Sequence, residues 1–191
     1  TRIISAIVLA AIAIWATWMG GLPFRALVAI GGVLVFWEWQ SITGYDKYGL
    51  LELAAPGAIA ASAFMVMADF PALQSLVPAV FAMFFAVAAA VRRGVPHWFP
   101  AGVPYALLPV LGLTALRGES ASGLSAVVFL FAIVWATDIF AYFGGRSFGG
   151  PKLAPAISPN KTWSGAISGS LAGVAAGLAA AQVYPLPFVP A

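Results

Sequence analysis

The chain contains no cysteine and a single histidine among its 191 residues. Disulfides, zinc-thiolate centres and thiol nucleophiles are therefore excluded, and His97 alone makes no metal site. Charge is almost as scarce: Asp, Glu, Lys and Arg amount to 8%, against roughly 25% in soluble globular domains. So few ionic groups could not solvate the surface of a soluble fold. Position 1 is not Met, which reads as a trimmed or partial chain.

What is present is apolar. Hydrophobic residues make up 62%, and the nine Lys and Arg and six Asp and Glu sit mostly between long apolar runs, as in a chain whose solvent is lipid. The expected fold class is all-α, a polytopic transmembrane helical bundle. With roughly 20 residues needed per crossing, the runs predict seven helices, at 3–19, 22–40, 50–68, 71–91, 98–116, 122–143 and 162–184. Thr1 to Gly20 has the basic end and apolar run of a signal peptide. It is nevertheless read as a span, because Met19-Gly20-Gly21 offers no small-x-small cleavage site and further spans follow. Turn chemistry marks short connections at Gly20-Gly21-Leu22-Pro23, Thr43-Gly44-Tyr45-Asp46, Asp69-Phe70-Pro71, Arg93-Gly94-Val95-Pro96 and Arg117-Gly118, so successive helices should be antiparallel neighbours. The expected organisation is one transmembrane domain, 1–191, with a five-helix part at 1–121 and helices six and seven at 122–191 joined by a loop at 143–162.

Cations distribute unevenly between the two ends of these helices. Arg2, Lys47, Arg92, Arg93, Arg146, Lys152 and Lys161 fall on one side, and Arg25 and Arg117 on the other. The positive-inside tendency then places the amino terminus and the 143–162 loop in the cytoplasm. The net charge of +3 thus reports on orientation, and nucleic acid is not expected as a partner. Trp37, Trp39, Trp98 and Trp163 lie at predicted helix ends, as an aromatic belt would place them.

The 143–162 segment holds two Gly pairs, several prolines, three cations and no acidic residue. Just before it, Asp138 stands in an otherwise apolar helix, where insertion of a carboxylate costs roughly 2.5–3.5 kcal/mol at mid-span and less near the interface. Either an ion pair with Arg146 compensates it, or Asp138 binds a divalent cation or contacts substrate. Ser158 suits an N-cap and Pro159 the first position of helix seven. Lys161 would then sit in the first turn, where the helix dipole disfavours a cation unless an anion resolves the conflict. Lys161 is alternatively a lipid-headgroup anchor. Gly145 to Lys152 lacks the Gly-Lys-Ser/Thr ending of an ATP-binding P-loop. Gly165, Gly169, Gly173 and Gly177 recur every four residues, which predicts close helix packing within the chain or across a homodimer. Glu38, between two tryptophans, is either interfacial or directed at the site. Glu52, Asp69 and Glu119 read as helix-terminus residues.

Taken together, Asp138-Ile139-Phe140-Ala141-Tyr142-Phe143-Gly144-Gly145-Arg146, Phe148-Gly149, Lys152-Leu153-Ala154-Pro155 and Ile157-Ser158-Pro159-Asn160-Lys161-Thr162-Trp163-Ser164-Gly165 resemble the central region of bacterial phosphatidate cytidylyltransferases, also called CDP-diacylglycerol synthases. Helices one to five agree only in character. Asn160 and Ser164 stand where that family usually has Lys and Glu, and its carboxyl-terminal Asp-rich signature has no counterpart, so the chain looks like the amino-terminal and central part of such an enzyme. The resemblance implies transfer of a cytidylyl group from CTP to phosphatidic acid, giving CDP-diacylglycerol and pyrophosphate with Mg2+, in a bacterial inner membrane. It assigns catalytic roles to Asp138 and Lys161 and substrate contacts to Arg146, Lys152, Ser158, Asn160 and Thr162. Asp138 would also be a metal ligand, with the remaining ligands outside this chain. The alternatives are a CTP-dependent polyprenol or dolichol kinase-like enzyme, and a lipid transporter or scaffold without catalysis.

Overall fold

The computed structural model describes residues 2–43, 50–93 and 98–183. Among them are seven helices and one two-stranded ribbon: α1 (Arg2–Met19), α2 (Gly21–Ile42), α3 (Leu50–Met67), α4 (Ala72–Arg93), α5 (Gly102–Arg117), α6 (Ala121–Phe148), β1 (Lys152–Ala154), β2 (Ser158–Thr162) and α7 (Trp163–Val183). Lys47, Asp46 and His97, with the side chains of Arg2, Glu52 and Arg93, fall outside the described residues. Of these helices, α2, α4, α6 and α7 contain stretches long and apolar enough to cross a bilayer, while α1, α3 and α5 supply shorter apolar segments. The chain is an all-α polytopic membrane protein. Its many exposed Ile, Leu, Val, Phe and Trp side chains are what a lipid-facing surface requires.

The chain divides into two compact units, residues 1–119 and 120–191. In the first, Phe36, Ile59, Ala79, Ala82, Ala86, Phe99, Val103, Ala106 and Leu107 form the buried core. Small residues let α2 and α5 approach: Gly32 lies directly under Val110, and Gly102 under the Trp39 indole, whose Nε1 donates to the Trp98 carbonyl at 3.2 Å. The expected start of helix five at residue 98 is corrected to Gly102, because Trp98–Pro100 form a turn that seats Phe99 in the core, its ring 6.3 Å from that of Phe36.

One end of this unit collects the charges of the α1–α2, α3–α4 and α5 termini. Arg25 pairs with Asp69 and, at 3.6 Å, with Glu119. Arg117 is buried at 6% exposure and donates to the carbonyls of Thr17 and Trp18 at the end of α1. These contacts require the ends of α1 and α5 and the start of α2 to lie together, as alternating antiparallel helices would place them.

In the second unit α6 starts at the Ser120 N-cap, whose hydroxyl accepts from the Gly123 amide at 3.1 Å. The expected end of helix six at residue 143 is corrected by more than a turn. Gly144 and Gly145 stay helical because their bare backbone is what α7 packs on: an added Cβ at Gly144 would collide with Ser168, and one at Gly145 would lie 2.9 Å from Thr162 Oγ1. The helix stops at Phe148, where Gly149 and Gly150 take φ values of 60° and 96°, conformations that glycine adopts without strain. Helix α7 then returns along α6. A Cβ at Gly165 would sit 2.8 Å from the Ala141 carbonyl and one at Gly169 2.7 Å from that of Thr137; Gly173 abuts Thr137 Oγ1, and Gly177 faces Ile133. The glycine stripe is therefore a packing face within the chain, matched by the stripe Ile133, Thr137, Ala141 and Gly145 on α6. Ser168 adds a hydrogen bond from its hydroxyl to the Phe140 carbonyl, 2.9 Å.

Candidate functional site

The segment expected to be an open loop is a structured ribbon. β1 and β2 pair antiparallel, with Lys152 opposite Thr162 and Ala154 opposite Ser158. Ser158 is consequently not the N-cap of helix seven, and Lys161 is not in its first turn. Both lie in β2, and the helix begins at Trp163. The cap is Thr162, whose Oγ1 accepts from the Gly165 amide at 3.2 Å. Sequence reasoning favoured Ser158-Pro159 because Ser followed by Pro is a good helix start. Strand pairing instead consumes this stretch, and a two-stranded ribbon consists of edge strands, which tolerate Pro159.

The other site residues distribute as follows. Arg146 is exposed in the last turn of α6, Lys152 is exposed at the start of β1, and Asn160 and Lys161 are exposed in β2. Ser158 is half-buried. Thr162 is buried at 8% exposure, and its hydroxyl bonds to the Gly165 amide and to Ser164. The three cations thus stand on the two strands of the ribbon and on the last turn of the helix that leads into it. Asp138 is separate: it is exposed on α6, eight residues or about 12 Å along the axis from Arg146. The ion pair with Arg146 is absent among the described residues, and Asp138, Tyr142 and Arg146 instead form a four-residue-spaced, exposed stripe.

Asp138 lies ten residues before the end of α6. The 28 residues of α6 extend about 42 Å, more than the roughly 30 Å of a hydrocarbon core. If the Ala121 end starts at one interface, about 20 residues bring the chain to the other, near Phe140.

Metal-binding capacity is limited. A magnesium ion takes several oxygen ligands, and no cluster of three His, Asp or Glu occurs among the described residues. Asp138 is the only carboxylate of residues 120–191. The described residues do not make a complete magnesium site.

Two residues that sequence reasoning did not assign complete the geometry. The Ser164 hydroxyl donates to the Gly149 carbonyl and lies 3.1 Å from Thr162 Oγ1. The Trp163 amide donates to the Pro151 carbonyl at 3.1 Å, closing the neck of the ribbon. The available signal was Thr162-x-Ser164 directly before a glycine-rich apolar run, which is also a helix-start pattern.

A multi-span membrane protein with a basic, backbone-shaped ribbon at the end of a tightly packed helix pair is thereby defined. The model of the cytidylyltransferase family matches residues 1–190, and the chain belongs to that family. It is 41% identical over 167 residues to a phosphatidate cytidylyltransferase of Brucella abortus, covering 87% of this chain and 62% of that protein. A phosphatidate cytidylyltransferase of Pseudomonas aeruginosa is 33% identical over 178 residues, covering 86% of this chain and 64% of that protein. One of Rickettsia bellii is 61% identical over 41 residues, or 22% of this chain and 18% of that protein. The chain thus spans less than two thirds of the length of the Brucella and Pseudomonas relatives. No solved structure matches it.

Proposed function

We propose that this chain carries the phosphate-directed part of a phosphatidate cytidylyltransferase, which joins CTP and phosphatidic acid to give CDP-diacylglycerol and pyrophosphate. The observation that supports this most directly is that Arg146, Lys152 and Lys161 stand on one ribbon and the helix end that leads into it, with none of them in an ion pair among the described residues. Cations on a fixed backbone are suited to a polyanion, and in cytidylyl transfer the triphosphate of CTP and the phosphate of the lipid are both anionic.

In the reaction an oxygen of the phosphatidate phosphate attacks the α-phosphorus of CTP, the bond to the β-phosphate oxygen breaks, and pyrophosphate leaves with that electron pair. Negative charge accumulates on the oxygens of the α-phosphate and of the leaving group. Preorganised donors aimed at such charge lower the barrier. Lys161 and Lys152 serve the nucleotide phosphates in this reading, and Arg146, with its planar fork of donors, holds one phosphate in a bidentate grip. Ser158 and Asn160 add neutral donors. Asp138, on the same helix stripe as Arg146, would be one ligand of the Mg2+ that this reaction uses, with the remaining ligands outside the described residues.

The relatives are named for phosphatidate, and the apolar surface of the helices gives a diacyl lipid a lateral approach. We place the ribbon on the cytoplasmic side of a bacterial inner membrane, where CTP is made. The test is product formation by the purified full-length protein in phospholipid nanodiscs with CTP, phosphatidic acid and Mg2+. CDP-diacylglycerol and pyrophosphate in equal amounts support the proposal. CTP-dependent phosphorylation of a polyprenol would replace it with a kinase, and lipid flux without CTP cleavage would replace it with a transporter.

A further inference from the structure

The ribbon is short, exposed and without a core of its own: Ile157 at its tip is 89% exposed, and two strands alone are marginally stable. What fixes it is its neck. The Thr162 hydroxyl occupies the space left by two glycines, since a Cβ at Gly145 on α6 would come within 2.9 Å of it and one at Gly165 on α7 within 3.2 Å. That same hydroxyl accepts from the Gly165 amide. Because the single Ser164 hydroxyl proton goes to the Gly149 carbonyl, the Thr162 proton is the one shared with Ser164 Oγ. A directed chain of hydrogen bonds results, from the Gly165 amide through Thr162 and Ser164 to the Gly149 carbonyl, with each hydroxyl both donating and accepting.

All three cations are attached to this point. Lys161 precedes Thr162, Lys152 is its partner across the ribbon, and Arg146 follows the glycine on which its hydroxyl rests. We infer that Thr162 and Ser164 are positioning residues that touch no substrate and set the spacing of Arg146, Lys152 and Lys161 by clasping the ribbon to the facing ends of α6 and α7. The inference rests on the phosphate-directed reading of the ribbon and adds the device that gives it a fixed geometry. Ser164 stands where the resemblance leads one to expect Glu. An ionised carboxylate has no proton to offer the Gly149 carbonyl, so the clasp in this form depends on the hydroxyl.

The test compares Thr162→Val, Thr162→Ser and Ser164→Ala with the unsubstituted full-length protein in nanodiscs. Two readouts are used: amide hydrogen exchange across residues 149–163 and steady-state turnover of CTP with phosphatidic acid. Displacement of reacting groups by about an ångström costs on the order of a hundredfold, so kcat/KM for CTP should fall at least about tenfold in Thr162→Val and Ser164→Ala. Exchange at the ribbon should accelerate in both, while in Ser164→Ala the thermal midpoint of the helices stays close to that of the unsubstituted protein. Thr162→Ser, which keeps the hydroxyl, should recover most of the loss. If Thr162→Val fails to fold, Ser164→Ala decides, because it leaves the helix cap intact. Unchanged ribbon exchange, or kcat/KM within twofold in Ser164→Ala, would overturn the clasp. If the unsubstituted protein makes no CDP-diacylglycerol the proposed function falls, and the exchange measurement alone then supports or overturns the clasp.

Discussion

Arg117 donates through Nε to the carbonyl of Thr17 at 2.6 Å and through Nη2 to that of Trp18 at 3.2 Å, so the last residue of α5 caps the end of α1. The α1 carboxyl end carries partial negative charge and carbonyls without helical partners. A buried guanidinium answers both. Hydrogen bonds to charged groups contribute about 1.5–3 kcal/mol, and Arg117→Met should therefore lower stability by about 2–4 kcal/mol in a detergent unfolding titration. Arg25→Met should cost about 1 kcal/mol or less, because Asp69 and Glu119 are 80% and 73% exposed. Equal effects of the two substitutions would contradict the assignment of Arg117 as the cap.

The α6–α7 interface predicts a contrast between glycines. At Gly169 a Cβ would lie 2.7 Å from the Thr137 carbonyl and 2.8 Å from the Ala141 Cβ, neither of which can move without shifting a helix. Gly169→Ala should destabilise by about 1–3 kcal/mol, the usual cost of overpacking. Gly31 and Gly57 are also helical but have nothing within 4 Å of that position, so Gly31→Ala and Gly57→Ala should be neutral or stabilising by up to about 1 kcal/mol. Thermal melts of the three variants in one detergent decide the matter. A tolerant Gly169 would mean that α7 does not rest on α6 through this stripe.

Helix number and most helix limits were legible because lipid demands long apolar runs, and such runs need no knowledge of partners. The glycine stripe was legible as a packing face for the same reason, although only the structure shows that its partner is α6. The ends of α6 and the start of α7 were not. Gly144 and Gly145 look like loop residues until the facing Ser168 and Thr162 are known, and Ser158-Pro159 looks like a helix start until Ala154 is seen opposite Ser158. In each case a contact between residues 17 or more apart in sequence, or a strand register, overrode the local preference. The arrangement of residues 138–165 was not legible: the hydrogen bonds that tie Thr162 and Ser164 to Gly165 and Gly149 depend on a ribbon fold that the residue types alone do not specify.

Asp138 and Arg146 should behave as independent groups. They are about 12 Å apart along one helix, and substitutions more than about 7–10 Å apart add within roughly 0.3–0.5 kcal/mol. The stabilities of Asp138→Asn, Arg146→Gln and the double variant should therefore sum within that margin. Each single variant should lose CTP-dependent turnover without a matching loss of stability, since both side chains are exposed. A double variant that regains the stability lost in the singles would restore the ion pair as the explanation of Asp138.

Orientation can be tested with the residue the chain lacks. With no native cysteine, a single introduced thiol is an unambiguous reporter. The 28-residue α6, about 42 Å long, exceeds the roughly 30 Å hydrocarbon thickness, so its two ends should emerge on opposite faces. Ala121 and Ser147 mark those ends, and both are exposed. Ser147→Cys should react with a membrane-impermeant maleimide only in inverted vesicles, where the cytoplasmic face is outward, and Ala121→Cys only in right-side-out cells or spheroplasts. That result follows from the excess of cations on the side of Arg146, Lys152 and Lys161 over the side of Arg25 and Arg117. The reversed pattern would put the ribbon outside the cytoplasm, away from CTP, and would overturn the proposed reaction together with the topology. Labelling of both positions from one side would show instead that α6 does not span the bilayer.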